Sequence, residues 1–178
     1  MKKLLVVVLV IFALGSFGFA QGIGFHGVAP QVALLVPGED GLTTGFAFGA
    51  KVNLGEIAPG IAIYPLAFYH MPGTDYDDLT FSDIQIGADV HYNLPSVAGL
   101  YVGGGLTFNI LTIELDYTNP FTGQTETYDE SENRVGFSLL GGYKFPIGGM
   151  DAMAEAKYGI VSDYSHLMIG LAVMFGAK

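Results

Sequence analysis

Six ionisable side chains between positions 51 and 157 make the best case for chemistry in this chain: Lys51, Asp89, His91, Lys144, Glu155 and Lys157. Each stands where polar and apolar residues alternate, and each falls on the polar side of the alternation. Gathered on one enclosed side, three lysines, two carboxylates and a histidine would pair, because an isolated ion out of water is costly and an opposite charge offsets the cost. The chemistry expected of them is electrostatic, an ionic cluster rather than a reacting centre.

Catalytic arrangements lack a usable spacing. Ser165 and His166 are adjacent, so in an extended segment they point to opposite faces. His26, His70 and His91 lie in separate segments, with no spacing that supplies a nucleophile with a base and an orienting acid. The reading is of no enzyme and no catalytic residue. Asp75-Tyr76-Asp77-Asp78 and Asp129-Glu130-Ser131-Glu132 offer oxygen ligands, but neither has the spaced ligands, glycine and closing glutamate of an EF-hand. Solvated acidic loops are expected, without a metal or cofactor.

The elements that would position the six residues are strands. From Asp83 to Leu94 every odd position is polar or glycine, and the even positions include Ile84, Ile86, Val90 and Tyr92. A period of two is a strand with two unlike faces. Eight strands are read this way, at about residues 23–36, 43–54, 60–71, 81–94, 99–117, 124–145, 152–161 and 166–175. With few helix signals and 26 glycines, the chain is all-β. An eight-stranded antiparallel up-and-down transmembrane barrel is expected.

The apolar parity would face lipid: Phe46, Phe48, Val52 and Leu54; Leu100, Val102, Leu106, Phe108 and Ile110; Val135, Phe137, Leu139, Tyr143 and Phe145; Leu167, Ile169, Leu171, Val173 and Phe175. The opposite parity adds Asn53, Asp83, Gln85, Thr107, Asn109, Arg134 and Ser138 to the six ionisable residues, together with nine glycines that make room for them. Barrels of eight strands are just wide enough to be filled by their own side chains.

Lys2 and Lys3, an apolar run over residues 4–14 and the small-residue approach to Ala20 have the layout of a cleavable secretory signal over residues 1–20. The run is short of the ~20 residues a spanning helix needs. The barrel domain would occupy 21–178. All 17 acids lie there against five bases, a net of twelve negative charges that makes nucleic acid a poor partner. There is no cysteine, hence no disulfide.

The connections after the second, fourth and sixth strands are short and apolar: Gly55-Glu56-Ile57-Ala58-Pro59, Pro95-Ser96-Val97-Ala98 and Pro146-Ile147-Gly148-Gly149. Those after the odd strands are mostly longer and acidic, holding Glu39, Asp40, Asp75, Asp77, Asp78, Glu114, Asp116, Glu126, Asp129, Glu130, Glu132 and Asp163. Short periplasmic turns and longer outer loops put both termini in the periplasm. Residues 112–118 and 124–130 alternate around Asn119-Pro120-Phe121-Thr122-Gly123, which predicts a hairpin projecting beyond the membrane. Pro30 and Pro65 fall inside strands, and a bulge near Pro30 is expected because the apolar parity shifts there.

Two stretches resemble a known superfamily: Gly99-Leu100-Tyr101-Val102-Gly103-Gly104-Gly105-Leu106, and Gly141-Gly142-Tyr143-Lys144-Phe145 followed by Ala154-Glu155-Ala156-Lys157-Tyr158. They are similar to strands of the small outer-membrane β-barrels of Gram-negative bacteria, the group of the opacity-type proteins and outer membrane proteins A, X and W. The resemblance implies a place in the cell outer membrane, contact with its lipids and lipopolysaccharide, and insertion by the outer-membrane assembly machinery. That machinery reads a terminal aromatic residue, for which Phe175 is the candidate. Members serve as adhesins, envelope stabilisers, small-solute channels and, rarely, lipid-modifying enzymes. The function expected is structural, adhesive or surface-interacting, with an extracellular ligand met by the acidic loops. The alternative is a narrow pore for small solutes, and the rival fold is a soluble lipocalin-like barrel with its faces reversed.

Overall fold

A computed structural model describes residues 23–176 apart from 77, 119, 121 and 163. The expected signal peptide and the acids Asp77 and Asp163 lie outside the described residues. Eight strands run in order: β1 (Ile23–Pro37), β2 (Leu42–Ala58), β3 (Ile61–Thr74), β4 (Leu79–Asn93), β5 (Leu100–Thr118), β6 (Thr125–Ile147), β7 (Met150–Val161) and β8 (Tyr164–Met174). Each pairs antiparallel with the next, and β8 returns to β1 to close the barrel. Closure leaves every strand of the barrel wall paired on both sides, which removes the sheet edges.

The faces divide as the alternation requires. Val32, Phe46, Leu106, Val135, Leu139 and Leu171 point outward, Leu139 being 66% exposed, whereas Lys51 is 0% exposed in the interior. Apolar side chains outside and charged ones inside are the reverse of a lipocalin-like barrel. Inside, β1, β2, β3 and β8 contribute an apolar wall of Ala33, Leu35, Ala47, Leu66, Phe68 and Met168. The facing wall of β4 to β7 is polar. At the end carrying the β5–β6 hairpin, Leu42, Phe81, Leu111, Val161 and Tyr164 pack together inside the rim.

Two of the three turns at the opposite end are tighter than the sequence suggests, the exception being the connection from β4 to β5. β2 continues to Ala58, so Gly55-Glu56-Ile57-Ala58 is strand and only Pro59-Gly60 turns. The cause is a one-residue irregularity between Lys51 and Glu56. There Gly55 has φ 86° and donates its N–H to Asn53 Oδ1 at 2.8 Å, a local bond that the alternation cannot reveal.

Both prolines sit where a ladder is already broken. The irregularity in β1 lies between Ile23 and Gly27, earlier than the expected position at Pro30. Val28 exchanges backbone hydrogen bonds with Phe175 of 2.6 and 2.8 Å, so its N–H points at β8, as that of residue 30 would. Pairing with β8 resumes only at Gln31 and Ala172, so the missing donor of Pro30 falls in the gap while Pro30 stays paired with Ala50 on the β2 side. Pro65 keeps its place opposite Ala88 in β4 and faces the irregular stretch of β2.

Beyond the barrel wall, β5 and β6 pair without a break from Leu100 and Tyr143 to Thr118 and Thr125. Their neighbours stop short: β4 ends against β5 at Leu79 and Leu115, and β7 ends against β6 at Val161 and Gly136. The expected hairpin is therefore an extension of the wall, with β4 still beside β5 as far as Leu115 and only its tip two-stranded.

Candidate functional site

Four of the six ionisable residues meet. Lys51 on β2 places Nζ 2.9 Å from Asp89 Oδ2 and 2.5 Å from Glu155 Oε1. Lys157 on β7 donates to both oxygens of Asp89, at 2.9 and 3.0 Å. Ser138 Oγ donates to Asp89 Oδ1 at 3.4 Å, and Tyr101 Oη to Glu155 Oε2 at 2.9 Å. Two ammonium groups thus face two carboxylates on opposite sides of the lumen, and none of the four residues exceeds 6% exposure. Charge balance and these additional donors are what such a buried group requires.

Glycines set how close the elements come. Gly142 lies opposite both Tyr101 and Glu155, and a Cβ there would collide with the Tyr101 ring. The ring can lie flat across β6 only because that atom is missing, and its hydroxyl then reaches Glu155. Gly159 does the same for His166, whose Cε1 and Nε2 would be 2.5 Å from an added Cβ.

The other two residues take different places. His91 is stacked between Tyr64 and Tyr101, with ring centroids 4.1 and 4.5 Å away, and its Nε2 lies 3.8 Å from Glu155 Oε2, too far for a hydrogen bond. Lys144 does not join the carboxylates. It donates to Asn93 Oδ1 at 2.9 Å and Tyr64 Oη at 3.2 Å, and its Nζ is 5.5 and 5.2 Å from the centroids of Tyr64 and Tyr101. Half-buried, it crosses the mouth nearest the short turns over a three-ring stack. Arg134 is likewise half-buried, at the base of the hairpin, 2.5 Å from Glu132 Oε2.

Toward the hairpin end the lumen continues through Gln85, Asn109 and Thr107, linked by hydrogen bonds of 3.2 Å, to a second polar group. His70 Nδ1 is 3.1 Å from Asp83 Oδ2, and His166 meets the His70 ring edge-on at 4.9 Å, with Tyr164 beside it. Asp83 is legible in the sequence as inward. His70, His166 and Tyr164 are not, although His70 shares the parity of Phe68, and His166 that of Met168 and Gly170. His70 Nε2, both ring nitrogens of His166 and the Tyr164 hydroxyl lack a hydrogen-bond partner among the described residues.

What this interior can do is fill space and hold charge. Ser165 lies on the other side of β8 from His166, where its N–H and hydroxyl donate to Glu39 Oε1 at 3.1 and 3.2 Å, tying the first connection to the wall. Among the described residues, no three His, Asp or Glu side chains are grouped to hold a metal ion.

No family model matches the chain. No curated protein matches it either. Among solved structures, the Neisserial surface protein A is 14% identical, with a TM-score of 0.62 over 88% of this chain and 100% of that one. Ail, the attachment invasion locus protein of Yersinia pestis, is 15% identical, with a TM-score of 0.51 over 86% and 99%. A de novo designed transmembrane β-barrel gives 12% identity and a TM-score of 0.50 over 87% and 100%. The likeness is one of fold: the chain has the architecture of small eight-stranded membrane barrels.

Proposed function

We propose that this chain, built on the fold of the small outer-membrane barrels, is an integral outer-membrane protein whose closed lumen makes it an anchor for the β5–β6 hairpin rather than a passage. The observation that carries this reading is the buried set Lys51, Asp89, Glu155 and Lys157, in which every charge is met across the lumen. An ion entering would have to break pairs whose separation leaves uncompensated charge out of water. The apolar rim at the hairpin end and the Tyr64, His91 and Tyr101 stack at the other add two further closures in series.

The acids Glu39, Asp40, Asp75 and Asp78 and the acidic hairpin all belong to one end, which supports that end as the outer one and the termini as periplasmic. Lipids and lipopolysaccharide would meet the apolar belt, and Phe175, at the β1–β8 seam, would serve the assembly machinery. Two proteins of this fold carry names that speak of a surface protein and of attachment, in keeping with a surface-interaction role. A second reading, a narrow solute pore, draws on the unpartnered groups of His70, His166 and Tyr164, which water would satisfy. Conductance across planar bilayers tests between them. The closed reading expects no discrete openings at neutral pH, and regular openings in the unmodified protein would overturn it.

A further inference from the structure

The polar group at the hairpin end is short of negative charge. His70 of β3 and His166 of β8 meet edge-on, ring centroids 4.9 Å apart, and both are 0% exposed. Asp83 of β4 is the carboxylate beside them, with Oδ2 3.1 Å from His70 Nδ1. Among the described residues no carboxylate pairs with His166. The other walls supply none. β1 and β2 present Leu35 and Ala47, β3 also Phe68, and β8 Met168. β5 adds Asn109 and Leu111, and Tyr164 is a phenol that stays neutral in acid. The cations of this stretch are Lys157 of β7 and Arg134 of β6, each already engaged by an acid of its own, Asp89 and Glu132. Lys157 repels a charge on His166.

One carboxylate can therefore neutralise one imidazolium. A proton on the second ring sets two cations against a single anion out of water, and an uncompensated buried charge is costly. The chamber also adjoins a closure. The Tyr164 ring lies 4.9 Å from that of His166 and 5.0 Å from that of Phe81, and both aromatic residues belong to the apolar cluster with Leu42, Leu111 and Val161. That cluster stands between the chamber and the hairpin-end mouth, so a second proton is hydrated only if the cluster parts.

We propose that His70, His166 and Asp83 form a proton-operated latch on the hairpin-end half of the lumen, shut while the pair carries at most one proton and opened when acid supplies the second. The sign follows from the proton count. The closed form excludes the second proton and the open, hydrated form accepts it, so closure is kept above the ordinary imidazole value of about 6.5 and lost as pH falls below it. One proton taken up on opening raises the opening constant about tenfold per pH unit. The inner set has its charges matched already, Lys51 and Lys157 against Asp89 and Glu155, and stays shut over the same range.

The test is amide exchange of the full barrel in phosphocholine nanodiscs at pH 7 and pH 5, each rate divided by the intrinsic rate at that pH. Protection of residues 68–74, 79–83 and 164–168 should fall by about tenfold or more, while that of 89–93 and 151–157 changes less than about twofold. His166→Gln should abolish the fall, with His166→Met in its place if the first variant loses heat-dependent gel mobility. His91→Gln should leave the fall as it is. Unchanged protection at the hairpin end, an equal fall in both halves, or an acid response that survives in the folded His166 variant overturns the proposal. So does its loss in His91→Gln, which would place the switch at the tyrosine stack. Conductance should stay absent at pH 5, and openings that begin only in acid would overturn the confinement of the latch to one half. Openings already present at pH 7, with the acid response intact, refute the closed lumen alone.

Discussion

Asp89→Asn is the most direct test of the lumen, because it keeps the side chain's shape and removes its charge. Asp89 accepts hydrogen bonds from both Lys51 and Lys157, so after the change two ammonium groups share the single carboxylate of Glu155. Lys157, which donates to both oxygens at 2.9 and 3.0 Å, keeps at most one uncharged acceptor there while remaining 2% exposed. Removing one partner of a buried pair costs about 3–5 kcal/mol, chiefly for the charge left behind. With a urea dependence of about 2 kcal/mol/M, the unfolding midpoint in lipid vesicles should fall by about 1.5–2.5 M. The chain has no tryptophan, so its ten tyrosines and the heat-dependent gel shift report the transition. Adding Lys157→Met should restore one cation to one anion and recover at least about 2 kcal/mol of the loss. A single change costing under about 1 kcal/mol, or a double variant less stable than the single one, would refute the view that charge balance holds this interior.

Other expectations are independent of that one. Gly142→Ala should destabilise by about 1–3 kcal/mol in the same assay, because the new methyl meets the Tyr101 ring. Gly141→Ala, whose Cβ would find its nearest neighbour at 3.8 Å on the outer face, should stay within about 0.5 kcal/mol. Leu139→Arg on the lipid-facing belt should cost about 2–4 kcal/mol in bilayers, whereas Tyr117→Arg on the hairpin should cost almost nothing, so the pair locates the membrane boundary. Tyr128 donates its hydroxyl to Glu126 Oε2 at 2.7 Å, which holds its pKa above the ordinary tyrosine value. The bond therefore persists through neutral pH and is lost as pH rises through that raised value; Glu126→Gln should bring the titration, followed by NMR, back down.

The period of two was enough to read the number of strands, their order and the two faces of the clearest ones, because one buried face fixes register along a whole strand. Parity also assigned Lys51, Asp89, Glu155 and Lys157 to one interior. What parity lacks is depth and distance across the lumen. Lys144 has the same parity as the four residues that pair, yet its strand position carries it past them to Asn93 and Tyr64. His70 and His166 stand 96 positions apart and meet only because β8 closes back toward β3 around a narrow barrel. Aromatic residues hid a further part of the site. Tyr64 and Tyr101 lie on the buried parity, but a tyrosine suits a lipid belt as well as a lumen, and only the glycine opposite Tyr101 indicates which.

The broken ladders opposite Pro30 and Pro65 bear on how this wall could be cut and rejoined. A circular permutant with its ends linked and new termini at Pro59-Gly60 would have β2 and β3 as its first and last partners, and that boundary already tolerates a missing donor opposite Pro65. A cut at Gly148-Gly149 would instead leave the wall to close along β6 and β7, whose pairing runs unbroken from Gly136 to Ile147. Of the two, the first asks the closing seam to do only what it does now. The second moves closure to a boundary with no slack and leaves both proline scars in the interior of the open sheet, where they must be crossed before the barrel can shut.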